Sequence, residues 1–196
     1  GFADRKAYQS VRDAGESATK HARVMTKMTY NDEPDLMYMT ASPTEEEFFL
    51  KGANRVIGRV PLFGGSAADN TISGNWNLYL DNKVTNEGVA VALFYMKGGF
   101  VNEFTGAYRE TSDMGIITKV EGTRQLVAID GVPAVKKYAK WRNMKPSELM
   151  GDKLLSATIT SPLGVKDRLG DLVAIRHPMF ANEDYSMNIG ANLSTG

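Results

Sequence analysis

The sequence predicts a mixed α/β fold: a β-α-β opening that runs into an antiparallel meander, giving a mixed sheet or two packed sheets flanked by helices. Three observations carry this. The apolar run Leu36–Met39 is followed by helix-start chemistry, a helical stripe and a second apolar run, Val60–Phe63, with short joins between them. Beyond residue 74 the hydrophobic period changes from that of a helix to that of strands. The 196 residues are 42% hydrophobic, enough for a substantial core, and no apolar run approaches the roughly 18 residues a membrane helix needs.

Ala7, Val11, Ala14, Ala18, Ala22, Met25 and Met28 recur at spacings of three and four, so residues 7–28 are expected to form one helix with these on a single stripe. His21 borders that stripe, as a surface or packing residue. Asn31-Asp-Glu-Pro34 ends the helix with loop chemistry. Leu36-Met-Tyr-Met39 reads as a strand buried on both faces. In Ser42-Pro43-Thr44-Glu45, Ser42 suits the N-cap, Pro43 the first helical position, and Glu45 can bond back, which makes a capping box. Phe48, Phe49, Ala53, Val56 and Ile57 give the following helix one apolar side, and Gly58 stops it.

Trp76, Leu78 and Leu80 alternate with Asn75, Asn77 and Tyr79 as in a half-buried strand, and Asp81-Asn82 is a hairpin turn. Strands are expected over residues 89–96, 100–104, 116–120 and 124–129, the last closed by Asp130-Gly131. Pro133 to Trp141 reads as a helix. Lys145-Pro146-Ser147 breaks the pattern, and Glu148 to Leu155 reads as a short helix. Ala157–Thr160, Leu172–Arg176 and Tyr185–Ile189 complete the strands. The expected domain boundary lies near residues 142–147, separating 1–144 from 145–196.

The stretch with ligand chemistry is Val60-Pro-Leu-Phe-Gly-Gly-Ser-Ala-Ala-Asp-Asn70. A strand that ends in Gly64-Gly65 lets main-chain N–H groups approach a ligand, because no Cβ intervenes. Ser66, Asp69 and Asn70 bring short polar side chains beside it. In a β-α-β unit ligands favour the carboxyl ends of the strands, which is where this loop is expected. Composition removes other classes. With 23 basic and 23 acidic residues the net charge is zero and no footprint for nucleic acid is visible. The absence of cysteine excludes disulfides, zinc thiolate sites and thiol catalysis within this chain and fits a reducing compartment. No signal-peptide pattern stands at the start. No Lys follows the glycines as in a P-loop, and no dinucleotide fingerprint is present.

The order Ala41-Ser-Pro43, helix, Val60-Pro-Leu-Phe-Gly-Gly-Ser-Ala-Ala-Asp69, Glu87-Gly-Val-Ala-Val-Ala-Leu93, Thr118-Lys-Val-Glu-Gly122 and Ile129-Asp-Gly-Val-Pro-Ala-Val-Lys-Lys-Tyr138 resembles the FIST sensory domain of signal-transduction proteins. The resemblance covers most of that family's N-terminal part and the start of its C-terminal part. It implies a cytoplasmic sensor of small ligands, amino acids or their derivatives among them, that performs no turnover and works with a signalling output domain or partner protein.

The expected ligand-binding set is therefore Gly64, Gly65, Ser66, Asp69, Asn70 and Arg176. A free amino acid needs a cation for its carboxylate, and Arg176 suits a bidentate clamp; the polar residues beside the glycines supply acceptors for its ammonium group. Two other readings stay open. Gly64-Gly65-Ser66-Ala67-Ala68 partly matches the nucleophile elbow of a serine hydrolase, with Ser66 as nucleophile, Asp113 or Asp130 as acid and His177 as base; the fifth residue departs from that motif, and no clear helix follows. No cofactor is expected on the main reading, but a haem-dependent gas sensor needs only one axial ligand, and His177 is the candidate.

Overall fold

The computed structural model describes residues 5–26, 32–70, 73–166 and 173–196. The chain divides into two compact units, Gly1–Thr105 and Gly106–Gly196. The expected boundary at 144/145 falls inside the second unit, where Leu126, Ile129, Val135 and Tyr138 on one side of it share a buried cluster with Leu149, Leu154, Met187 and Ile189 on the other.

The first unit opens with α1, Arg5–Met25. The expected end of that helix at residues 27 and 28 lies outside the described residues, as does Asn31. Its buried ridge follows the apolar stripe only in part, with Val11, Ala18 and Ala22 half-buried. Ala14 and Met25 are exposed, whereas Gly15 and Thr19 are buried. Packing against the next helix selects small residues here: a Cβ on Gly15 would lie 2.3 Å from the Phe49 carbonyl oxygen, and one on Gly52 would lie 2.0 Å from that of Arg12. The Thr19 hydroxyl folds back to the Gly15 carbonyl at 2.8 Å.

Strand β1, Leu36–Ala41, alternates rather than being buried on both faces: Met37, Met39 and Ala41 are buried, and Leu36, Tyr38 and Thr40 half-buried. Helix α2, Glu46–Ile57, begins a turn later than the Ser-Pro-Thr-Glu pattern suggests. The Ser42 hydroxyl does reach Glu45 Oε2 at 3.2 Å, but no side chain caps the helix; Ser42 is committed to Gly88, donating its amide to the Gly88 carbonyl at 2.9 Å and accepting the Gly88 amide on its hydroxyl at 3.2 Å. Gly58 ends α2 at φ +69° with its amide on the Asn54 carbonyl, as expected.

Strand β2, Leu62–Ser66, pairs parallel with β1, which completes the β-α-β unit. After it come β3, Leu78–Leu80, and β4, Lys83–Thr85, a hairpin turned by Asp81 and Asn82, both at positive φ. β5, Val89–Phe94, then runs antiparallel to β1, so the sheet order is β2-β1-β5. Met37, Met39, Leu62, Val91 and Leu93 pack with Phe49, Ala53 and Ile57 of α2, and Val11 of α1 joins them. The helices thus cover one face of this sheet. No strand forms over residues 100–104, where Val101 is 94% and Phe104 72% exposed; among the described residues Phe100-Val-Asn-Glu-Phe104 joins no ladder.

In the second unit β6, Ile117–Glu121, and β7, Gln125–Ile129, form an antiparallel pair. The Asp130-Gly131 turn, with both φ positive, returns the chain as the two-residue β8, Val132–Pro133, on β7. Helix α3, Ala134–Trp141, buries Val135, Tyr138 and Ala139. A 3-10 turn at Pro146–Glu148 leads to α4, Lys153–Thr158. Residues 157–160, expected as a strand, therefore contain the end of a helix; Leu154 and Thr158, four apart, are its buried positions. β9, Leu163–Lys166, and β10, Val173–Arg176, form a separate hairpin, with residue 172 outside the described set. β11, Pro178–Ala181, and β12, Met187–Ile189, complete the sheet order β11-β12-β7-β6. β4, β8, β9 and β11 were not anticipated as separate strands. The fold class is nevertheless the expected one: a mixed sheet built on a β-α-β unit, with antiparallel strands and flanking helices. Among the described residues no helix is long and apolar enough to cross a membrane.

Candidate functional site

Because α1 and α2 cover only one face of β2-β1-β5, the other face is available. Side-chain alternation decides what each face carries. In β5, Val89, Val91 and Leu93 pack toward the helices, and Ala90 and Ala92 point the opposite way. In β1 the residues opposite Ala92 and Ala90 are Tyr38 and Thr40, and in β2 they are paired in turn with Phe63 and Gly65. The rows Phe63-Tyr38-Ala92 and Gly65-Thr40-Ala90 thus cross the uncovered face. The first is filled by rings, with Phe63 4.9 Å from Tyr38 and 6.1 Å from Phe94. The second carries no large side chain.

A cavity of about 430 Å³ lies over these rows. Its lining includes Tyr38, Thr40, Gly65, Ser66, Ala90 and Ala92, and β3 walls it with Leu78 and its neighbours. Two of the expected ligand residues, Gly65 and Ser66, are therefore at a cavity. Among the described residues no charged side chain lines it. Its polar lining residues among those described are Tyr38, Thr40, Ser66, Asn77 and Tyr79, together with the main chain. Tyr38, Thr40, Ala90 and Ala92 were not singled out in the sequence. The signal was there: Val-Ala-Val-Ala-Leu reads as large residues toward helices and small ones toward a space, and Tyr38 and Thr40 are the polar positions of an alternating β1.

The glycine pair is not a loop. Gly64, Gly65 and Ser66 continue β2, opposite Met39, Thr40 and Ala41. Gly64 has φ +148°, and a Cβ there would fall 1.8 Å from the Met39 carbonyl oxygen, so its smallness serves strand against strand. A Cβ on Gly65 would meet nothing within 4 Å. The Ser66 hydroxyl donates to Glu46 Oε1 at the start of α2. Asp69 does what a turn aspartate does: its carboxylate accepts the Ser73 amide at 3.0 and 3.1 Å and the Asn75 amide at 2.7 Å, tying the exit of β2 to the approach of β3. Asn70 is exposed on that connection.

Arg176 belongs to the second unit. Its Nε donates to the Asn192 carbonyl at 3.1 Å and its Nη1 to the Ile175 carbonyl at 3.1 Å, so the guanidinium braces main chain at the end of β10. The hydrolase elements are likewise engaged separately. Ser66 closes a strand instead of standing on a strand-to-helix turn. The Asp113 amide bonds the Thr111 hydroxyl. Asp130 accepts the Ile116 amide at 2.8 Å and pairs with Lys137 at 2.8 Å, and that amide first, with the lysine adding to it, holds its carboxyl below the usual range. His177 Nε2 lies 3.3 Å from the hydroxyl of the buried Thr158. Among the described residues no group of three or more His, Asp or Glu side chains is arranged to hold a metal ion.

Glu45 is the perturbed acid beside this region. Burial pushes its carboxyl up, the Ser42 hydroxyl opposes that, and the charges of Glu87 and Glu46 add to the rise.

Comparison with curated proteins and with solved structures returns no match. The family model of the FIST N domain matches residues 2–132. That span holds α1, the β2-β1-β5 sheet, the β3–β4 hairpin and the cavity between them, and it runs on through β6 and β7. The family is a sensory domain of signalling proteins, and with two thirds of its length matched, this chain belongs to the FIST N-domain family.

Proposed function

We propose that this chain binds a small metabolite over the uncovered face of β2-β1-β5, as the sensing step of a signalling protein and without turnover. The observation that carries the reading is the row Gly65-Thr40-Ala90, which leaves a cavity of about 430 Å³ where a large side chain would otherwise pack. That volume lies within the range of small-molecule sites, and an apolar floor with a few neutral polar groups is their usual construction. The neutral lining favours a ligand whose inserted part is uncharged. For an amino acid this means the side chain enters between Thr40, Ala90 and Leu78, and the charged end stays at the mouth, near the main chain of Gly65 and Ser66. Arg176 is not required on this reading.

A thermal-shift screen of amino acids and other small metabolites tests it. A ligand that binds only the folded state at about a hundred times its Kd adds about 2.7 kcal/mol of stability. Ala90→Leu fills the floor of the cavity, and the shift given by any hit should vanish in that variant while its fold persists by circular dichroism. A shift that survives Ala90→Leu undiminished places the ligand elsewhere and ends the proposal.

A further inference from the structure

We propose that β2 is the edge through which two copies of this chain pair, strand against strand and antiparallel, about a two-fold axis at Gly64. β2 hydrogen-bonds β1 on one side only and is the outer strand of its sheet. The Pro61 carbonyl accepts from Met37 and the Ala67 amide donates to Ala41, so the odd-numbered residues of this parallel ladder turn their main-chain groups toward β1. By the period of two, Leu62, Gly64 and Ser66 turn theirs outward. Among the described residues these outward groups have no main-chain partner. Phe63, Gly64, Gly65 and Ser66 are all exposed.

Edge strands of this kind are normally guarded by a charge, a proline or a bulge. Leu62-Phe-Gly-Gly-Ser66 has none of these within it, and its register with β1 is unbroken. The edge is also self-complementary. In an antiparallel pair, residues that exchange two hydrogen bonds must both face outward. Centring the pair on Gly64 sets Gly64 opposite Gly64 of the second copy and Leu62 opposite Ser66, and all of these face outward. Phe63 then stands opposite Gly65 of the second copy, a ring beside a residue with no Cβ, so no large side chains collide. A two-fold axis perpendicular to the sheet keeps the helices of both copies on one side and both uncovered faces on the other. Each copy's Phe63 would then border the Gly65-Thr40-Ala90 row of the other, making the second copy part of the rim of the cavity.

Sedimentation of the full chain from micromolar to millimolar concentration is the first test. The weight-average mass should climb from 21.5 kDa toward twice that value. A mass that stays at 21.5 kDa throughout overturns the proposal. The second test is Ser66→Pro, which removes an outward N–H and leaves the ladder to β1 in place. Association should weaken by about tenfold or more, equivalent to one or two main-chain hydrogen bonds; a folded variant that associates like the parent refutes the edge. The third holds even if that variant fails to fold. Because the chain has no cysteine, an equimolar mixture of Phe63→Cys and Gly65→Cys chains reports the register directly. Residues opposite each other in a non-hydrogen-bonded pair sit about 4.5 Å apart at Cα, within disulfide reach. Mixed 63–65 disulfides are expected to dominate, and a preference for 63–63 or 65–65 disulfides excludes this register.

Discussion

Adjacent glycines of β2 are expected to respond in opposite ways to the same methyl group. Alanine at Gly64 must adopt φ +148°, a backbone region that essentially only glycine occupies, and its Cβ would fall 1.8 Å from the Met39 carbonyl oxygen. Backbone strain of this kind costs about 1–3 kcal/mol, and the obstacle is strand main chain, which cannot rotate away as a side chain tip can. We take about 3 kcal/mol as the loss for Gly64→Ala. In a unit of this size each kcal/mol moves the midpoint by about 4 °C or more, so a fall of about 12 °C or more is expected. Gly65→Ala adds the same atom where nothing stands within 4 Å, and its stability should stay within about 0.5 kcal/mol of the parent, while the methyl group projects toward the cavity beside Thr40. Urea and thermal unfolding of the two variants, followed by circular dichroism, give both numbers. Equal losses for the two, or a Gly64→Ala within about 0.5 kcal/mol of the parent, would refute the division of labour between strand packing at Gly64 and open space at Gly65.

Two other outcomes follow from the same packing. Gly52→Ala raises helix propensity by about 1 kcal/mol but sets a Cβ 2.0 Å from the Arg12 carbonyl oxygen, so thermal unfolding should show a net loss of about 2 kcal/mol from overpacking; a stabilised variant would mean that α1 and α2 do not cross at these glycines. Glu45→Gln tests the raised carboxyl. A group whose folded pKa lies above its unfolded value, here 4.5, contributes stability that is fully present below that value and is lost as pH rises through the folded pKa. Glutamine cannot ionise, so the midpoint of Glu45→Gln relative to the parent should become more favourable from pH 4 to pH 7, and a difference that is flat or reversed with pH would contradict the burial of this group.

Local chemistry made the β-α-β unit, the Gly58 stop, the Asp81-Asn82 and Asp130-Gly131 turns and the residue 134–141 helix legible from sequence, because spacing and turn preference act over a few residues. The same local signals misplaced what depends on a partner. Phe100–Phe104 reads as a strand, yet among the described residues it joins no ladder and leaves Val101 and Phe104 exposed. Ala14 and Met25 belong to an apolar stripe, yet the α1–α2 crossing chose Gly15 and Thr19 because two backbones approach there. The candidate site divides in the same way.

What the sequence determined by itself was that residues 64–70 carry small and polar groups at the end of a β-α-β unit. Tertiary structure alone decided that Gly64 and Gly65 lie within β2 instead of after it, that Asp69 serves the approach to β3, and that Arg176 braces its own neighbours. The reason is that a glycine's role depends on what stands within a few ångströms of its missing Cβ. At Gly64 that is the carbonyl of Met39, a residue 25 positions earlier in the chain.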